Sequence, residues 1–195
     1  MTKRVIGITG GAGSGKTEVL RILENEYGAR IIIADEVARE LSSPGGKSYE
    51  KIVEAFGPEI LMEDKNIDRP KLSAIVFHQP RLLETLNNIV HPNVREEIER
   101  QIAQSELPLI VVEAALLIEC GYRDICDEFW YVHSEEGIRR RRMKETRNYS
   151  DEKIDSIIRN QLSEEQFAKN CDKILENNSD LEHLRKEIEK LMDQH

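Results

Sequence analysis

No stretch of the sequence is apolar for long enough to cross a bilayer, and no signal-type hydrophobic run precedes the first strand pattern. The expectation is a cytoplasmic protein with no membrane partner. Cysteine is scarce: Cys120, Cys126 and Cys171 are odd in number and form no Cys-x-x-Cys pair, so neither a disulfide framework nor a zinc site is expected. The 5 histidines are scattered, none beside Cys or another His at metal-ligand spacing. Positive charge is also short, with 28 Lys and Arg against 37 Asp and Glu and a net charge of −9. That balance removes the broad positive field that nucleic acids or anionic membranes require, so an anionic ligand must be met by local basic clusters. Aromatics are few, at 5%, while aliphatic and charged residues are plentiful, an ordinary soluble, helix-rich composition.

What is present is concentrated near the start. Arg4-Val5-Ile6-Gly7-Ile8-Thr9 reads as a buried strand, and Gly10-Gly11-Ala12-Gly13-Ser14-Gly15-Lys16-Thr17 fits the G-x-x-x-x-G-K-[ST] pattern of a P-loop running into a helix. Each residue type has a physical task there. Glycines allow positive φ and close backbone approach, so that successive N–H groups wrap an anion. The helix beginning near Lys16 adds the positive end of its dipole. Lys16 would bridge the β- and γ-phosphates of a triphosphate, and the Thr17 hydroxyl would ligate Mg²⁺.

The 195 residues suffice for one domain with a full core. Helical spacing over Glu18 to Tyr27 ends at Gly28, and Arg30 to Ile33 is a β-branched strand. This strand, loop, helix, strand order is a βαβ opening and implies a parallel sheet. Beyond the Ser42 to Gly46 loop the chain is expected to be helical to about Glu106: Tyr49 to Phe56, Pro70 to His78, then a long segment from Arg81, with no strand alternation. Strands return at Leu109 to Val112, Phe129 to Val132 and, more weakly, Lys173 to Leu175, and a helix from Leu181 to Met192 closes the chain.

Several polar residues stand where such sheets place ligands. Asp35 follows the second strand and suits either a helix cap or a chemical role. Glu113 ends the third strand and suits either a cap or a water-mediated contact to magnesium. The run Arg139-Arg140-Arg141-Arg142, with Lys144 and Arg147, is the one strongly basic segment. It reads as a solvated helix face or as a lid whose arginines close over a phosphoryl group. Successive residues lie about 100° apart on a helix, so only one or two of the four can face one ligand. His91 precedes Pro92, which biases it toward a turn at the mouth of a helix.

Taken together the chain resembles the dephospho-coenzyme A kinase family, nearly end to end. The resemblance is carried by Ile8 to Thr17; Ala34-Asp35 with Ala38-Arg39 and Leu41; Pro44-Gly45; Phe56-Gly57; Asp68-Arg69 with Leu72; Val76-Phe77; Val90-His91-Pro92; Leu116-Leu117-Ile118-Glu119; and Asn177-Asn178. It implies an α/β fold, a P-loop core with a five-stranded parallel sheet flanked by helices, plus a helical acceptor-binding insertion and a lid. The subregions would be 1–34, 107–134 and 171–195 for the core, 35–106 for the acceptor region and 135–170 for the lid. It further implies transfer of the γ-phosphoryl of ATP, with Mg²⁺, to the 3′-hydroxyl of dephospho-coenzyme A, by a monomer or weak homo-oligomer without a nucleic-acid partner.

On that resemblance Asp35 would accept the proton of the attacking hydroxyl. Arg39, Arg69 and His91 would hold the acceptor, and Asn177 and Asn178 would lie beside adenine. Gly11, Ala12, Gly13, Ser14, Gly15, Lys16 and Thr17 would bind ATP, Arg142 and Arg147 would be the lid arginines, and Glu113 would join Thr17 at the metal. The chain departs from the family at Ile33, where the first acid of an Asp-Ala-Asp arrangement usually stands, and at Ala115, in place of the usual proline. Another small-metabolite or nucleoside monophosphate kinase is the nearest alternative. A guanine-nucleotide switch would want an Asn-Lys-x-Asp element, which Asp64-Lys65-Asn66 is not.

Overall fold

The computed structural model describes residues 3–77, 79–115, 117–118 and 121–193. His78, Leu116, Glu119 and Cys120, noted above, lie outside the described residues. Strands are β1 (Arg4–Thr9), β2 (Arg30–Ile33), β3 (Leu109–Glu113), β4 (Glu128–His133) and β5 (Lys173–Glu176). In chain order the helices are α1 (Lys16–Tyr27), α2 (Ala34–Leu41), α3 (Tyr49–Phe56), α4 (Arg69–Phe77), α5 (Pro80–Gln104), α6 (Glu136–Arg147), α7 (Asp151–Arg159), α8 (Glu164–Asn170) and α9 (Leu181–Met192). The chain divides into two compact units, Met1–Ile32 with Ser105–His195, and Ile33–Gln104.

The first unit is organised by the sheet, in the order β2-β3-β1-β4-β5. β1 runs parallel to both β3 and β4, and β4 parallel to β5. The three central strands are buried over nearly their whole length, which is why each reads as a continuous apolar run rather than an alternation. Carboxylates secure the strand beginnings. Asp127 accepts the Val5 N–H at 2.7 Å, Asp172 accepts the Phe129 N–H at 2.7 Å, and buried Glu128 pairs with Arg4 at 2.5 Å. The Arg123 guanidinium on Asp172 holds that carboxyl below the usual range.

α1 buries Val19, Leu20, Ile22 and Leu23 and stops at Gly28, whose φ of 65° lets its N–H turn back to the Leu23 carbonyl. α9 packs on β5 and α1 through Leu184 and Ile188. α8, inside the stretch expected as a lid, packs on β4, with Phe167 stacked on Tyr131 at 4.8 Å between ring centroids. Gly7 in mid-β1 marks a close approach: a Cβ there would lie 2.8 Å from both Leu117 Cδ2 and Phe129 Cδ1. Gly7→Ala should therefore overpack this face and cost about 1–3 kcal/mol in urea unfolding; an unchanged midpoint would show that the two side chains yield freely.

The second unit is helical around Ile52, Phe56, Ile60, Ile67, Leu72 and Val76. Against the expectation of no strand pairing here, Leu61 and Ile67 form an isolated antiparallel bridge. Its turn is closed by Met62 N–H to Asn66 O at 2.8 Å, with Lys65 at a φ of 66°. The larger correction is α5. It continues through Pro92, so His91 lies inside a helix and not at a turn. Proline removes one helical donor, but tertiary contacts override that local preference. Val94 and Ile98 are buried beyond it, and Asn93 Nδ2 donates to Ile89 O at 2.9 Å and Ser48 Oγ at 3.0 Å.

Among the described residues Cys126 and Cys171 are free, and burial pushes the Cys126 thiol up to about 12, away from nucleophilic chemistry. No described helix is long and apolar enough to cross a membrane.

Candidate active site

Strand order locates the site. From β1 the chain crosses to β2 on the far side of β3, whereas from β3 it crosses to β4 on the far side of β1. The crevice between the carboxyl ends of β1 and β3 is thus the topological switch point, where open α/β sheets take ligands. The glycine-rich loop leaves β1 at this point, and Glu113, opposite Ile8 in the ladder, ends β3 beside it.

The loop is shaped to present N–H groups. Gly15 caps α1 at a φ of 91° with no side-chain cap, so no capping side chain stands between the start of α1 and an anion. Lys16 Nζ donates to Gly10 O at 2.7 Å and lies 3.7 Å from Glu113 Oε1. Thr17 is exposed at the mouth, while Ser14 Oγ and Thr9 Oγ1 are buried without a hydrogen-bond partner.

The back of the loop is braced by three segments. The Ser14 carbonyl accepts from Asn177 Nδ2 at 2.7 Å and from Arg142 Nη1 at 3.2 Å. Arg142 also donates to Ser134 Oγ at 3.0 Å and Asn177 O at 3.1 Å, and Ser134 Oγ donates to Asn177 O at 2.6 Å. Burial and the neighbouring charge of Arg141 lower the pKa of Arg142. Arg139 Nε donates to Ala12 O at 3.0 Å, and Gln161 Oε1 accepts the Ala12 N–H at 3.2 Å.

Lys16, Thr17, Glu113, Arg142 and Asn177 are therefore gathered around one loop. Arg147 is not: its guanidinium sits 6.0 Å over the Tyr149 ring. Helix geometry explains the division, since residues 139 and 142 are about 60° apart around α6 whereas 142 and 147 are about 140° apart. Asn177 is buried with its amide committed to the loop backbone, and Asn178 accepts the Glu135 N–H at 2.8 Å and donates to Glu176 at 2.9 Å. The side-chain interactions of the pair thus brace backbone and neighbouring side chains.

In the second unit Asp35 stands in the first turn of α2, whose N-cap is Ile33, so the capping alternative does not hold. Arg39 lies one turn further on, and its carbonyl accepts from Arg69 Nη2 at 3.2 Å. Burial and the charge of Arg39 lower the pKa of Arg69. A cavity of about 170 Å³ is lined by Ala38, Ser42, Arg69, Leu72, Asn87 and Val90. Burial lowers the pKa of His91 within α5.

Comparison with known proteins settles the family. The dephospho-CoA kinase family model matches residues 4–183. A dephospho-CoA kinase from Carboxydothermus hydrogenoformans is 38% identical over 187 residues, covering 94% of this chain and 90% of that protein. The chain belongs to the dephospho-CoA kinase family.

A crystal structure from Thermus thermophilus matches with a TM-score of 0.87 at 29% identity, covering 100% of this chain and 98% of that one. A dephospho-CoA kinase from Campylobacter jejuni matches at 0.71 with 26% identity, covering 99% and 97%. A shikimate kinase from Acinetobacter baumannii, at 0.55 and 14% identity over 98% and 94%, shares the fold alone.

Within this family setting, the residues that the sequence did not single out are Arg139 as distinct from its neighbours, Ser134 and Gln161. Arg139 was signalled only by its spacing of three from Arg142. A lone Ser or Gln carries no such signal. As to magnesium, among the described residues no three His, Cys, Asp or Glu cluster as a metal cage. The exposed Thr17 hydroxyl and the Glu113 carboxylate are donor types that would fit a largely hydrated ion.

Proposed function

We propose that this protein transfers the γ-phosphoryl of ATP to the 3′-hydroxyl of dephospho-CoA, giving CoA and ADP. The observation that carries the reading is the phosphate loop, with Lys16 and Glu113 side by side at the switch point of the sheet, in a chain of this family. Phosphoryl transfer asks the protein chiefly for positioning and charge neutralisation. The N–H groups of the loop and Lys16 hold the triphosphate. Magnesium, when bound, would offset charge between the phosphates, held by Thr17 directly and by Glu113 through water.

Residues 35–106 act as the acceptor region and 135–170 include the segment that closes over the nucleotide, with 1–34, 107–134 and 171–195 as the core. Asp35 accepts the proton of the attacking hydroxyl. Arg39 and Arg69, the latter held by its guanidinium on the Arg39 backbone carbonyl, take acceptor phosphate together with His91. Arg142 neutralises phosphoryl charge; Arg147 reaches it only if α6 moves on closure. Asn177 and Asn178 lie beside the adenine base. The protein works in the cytoplasm as a monomer or weak homo-oligomer, without nucleic acid.

A coupled ADP-release assay offering dephospho-CoA, AMP and shikimate side by side tests the acceptor. Turnover with dephospho-CoA alone is expected, and preferential turnover of either other acceptor would overturn the reading.

A further inference from the structure

The tetra-arginine run separates by charge partner. Arg140 is met by two carboxylates, Glu136 at 2.7 Å and Asp155 at 2.6 Å. Arg139, one residue earlier, is 6% exposed, and no carboxylate pairs with it among the described residues. Its hydrogen bonds go to neutral acceptors, Nε to Ala12 O at 3.0 Å and Nη2 to Gln161 Oε1 at 2.9 Å. Gln161 Oε1 accepts the Ala12 N–H as well, at 3.2 Å. Ala12 is thus held at both its donor and its acceptor by a closed ring of three hydrogen bonds. The guanidinium lies close against Gly11, where a Cβ would come within 2.3 Å of Nη2 and 2.5 Å of Cζ.

A cation buried among neutral acceptors is costly until a counter-charge arrives. Here the nearest backbone is that of a loop shaped for an anion, so the missing counter-charge is the ligand's. The ring meanwhile fixes the Ala12 peptide, which sets the direction of the following N–H groups.

We propose that Arg139, working through Gln161 and the Ala12 peptide, is a positioning residue that both orients the phosphate loop and supplies positive charge neutralised by bound polyphosphate. This rests on the reading of the loop as a triphosphate site. Arg139 acts through the loop backbone and does not touch the transferring group. Its neighbour Arg142, which among the described residues also has only neutral partners, contacts the loop one turn further along α6.

The test compares the wild type with Arg139→Gln, Arg139→Lys and Gln161→Glu. Binding of ATP and of inorganic tripolyphosphate is measured by calorimetry, alongside Tm and the KM for ATP. Gln161→Glu is the decisive variant, because a carboxylate still accepts both ring hydrogen bonds but neutralises Arg139. It should keep or raise Tm while weakening tripolyphosphate and ATP binding and raising KM by about tenfold, the scale of one hydrogen bond to a charged group. Arg139→Gln should show the same loss, and Arg139→Lys should recover most of the tripolyphosphate affinity.

A purely structural ring predicts Gln161→Glu with unchanged affinity, and that result overturns the proposal even if Arg139→Gln fails to fold. Wild-type protein that binds neither probe would overturn the triphosphate reading itself, and this proposal with it. Wild-type binding with Gln161→Glu within about twofold overturns this proposal alone.

Discussion

Lys16→Ala is expected to lower kcat/KM by about 10²–10³-fold, the scale for removing one preorganised donor from a site of developing charge. The side chain sits between the Gly10 carbonyl and Glu113 in the nucleotide-free structure, and its ammonium is a point charge on a flexible stem. Triphosphate binding would draw it from these partners onto the phosphates, so its loss leaves Glu113 facing the nucleotide without an opposing charge. The fold should tolerate the change, because the ammonium's bonds to Gly10 O and Glu113 lie at the ligand crevice and not in the apolar core of the sheet. Tm should move by about 4 °C or less, measured beside steady-state kinetics. Activity within about tenfold of wild type would remove Lys16 from its role.

Asp35→Asn is expected to be the second severe lesion, with kcat down by about 10²–10⁴-fold and ATP binding nearly unchanged. The side chain is exposed in the first turn of α2 and caps nothing, so an amide of the same shape is sterically free to replace it. Ile33 removes the other carboxylate that might have shared the task. Calorimetric titration with ATP separates the outcomes. Weakened ATP binding would point to a role in the nucleotide site, and retention of more than about a tenth of kcat would end the general-base assignment.

The parts of this molecule legible in the sequence are those decided locally. β1, the loop and α1 are contiguous, and each glycine or apolar residue there has one reason to be present. The central strands are buried on both faces, so their apolar runs could hardly be read otherwise. Where distant segments decide, the sequence is silent or misleading. His91-Pro92 points to a turn, yet Val94, Ile98 and the two hydrogen bonds of Asn93 keep α5 continuous. Four consecutive arginines are indistinguishable until packing sets the rotation of α6, which turns Arg139 and Arg142 to the loop and leaves Arg147 over Tyr149. Asp35 looked like a cap because Asp commonly is one, but the helix begins a residue earlier, at Ala34.

The Asn177 amide on the Ser14 carbonyl joins residues 163 positions apart. During synthesis, which proceeds from the N-terminus at about 5–20 residues per second, the glycine-rich segment leaves the ribosome well before its brace is made. Nucleotide competence therefore waits on the docking of β5 at the far edge of the sheet. A nascent or truncated chain ending before Asn177 would carry the whole phosphate-loop motif with its Ser14 carbonyl lacking that partner, so the motif's presence in a fragment would not by itself confer the site.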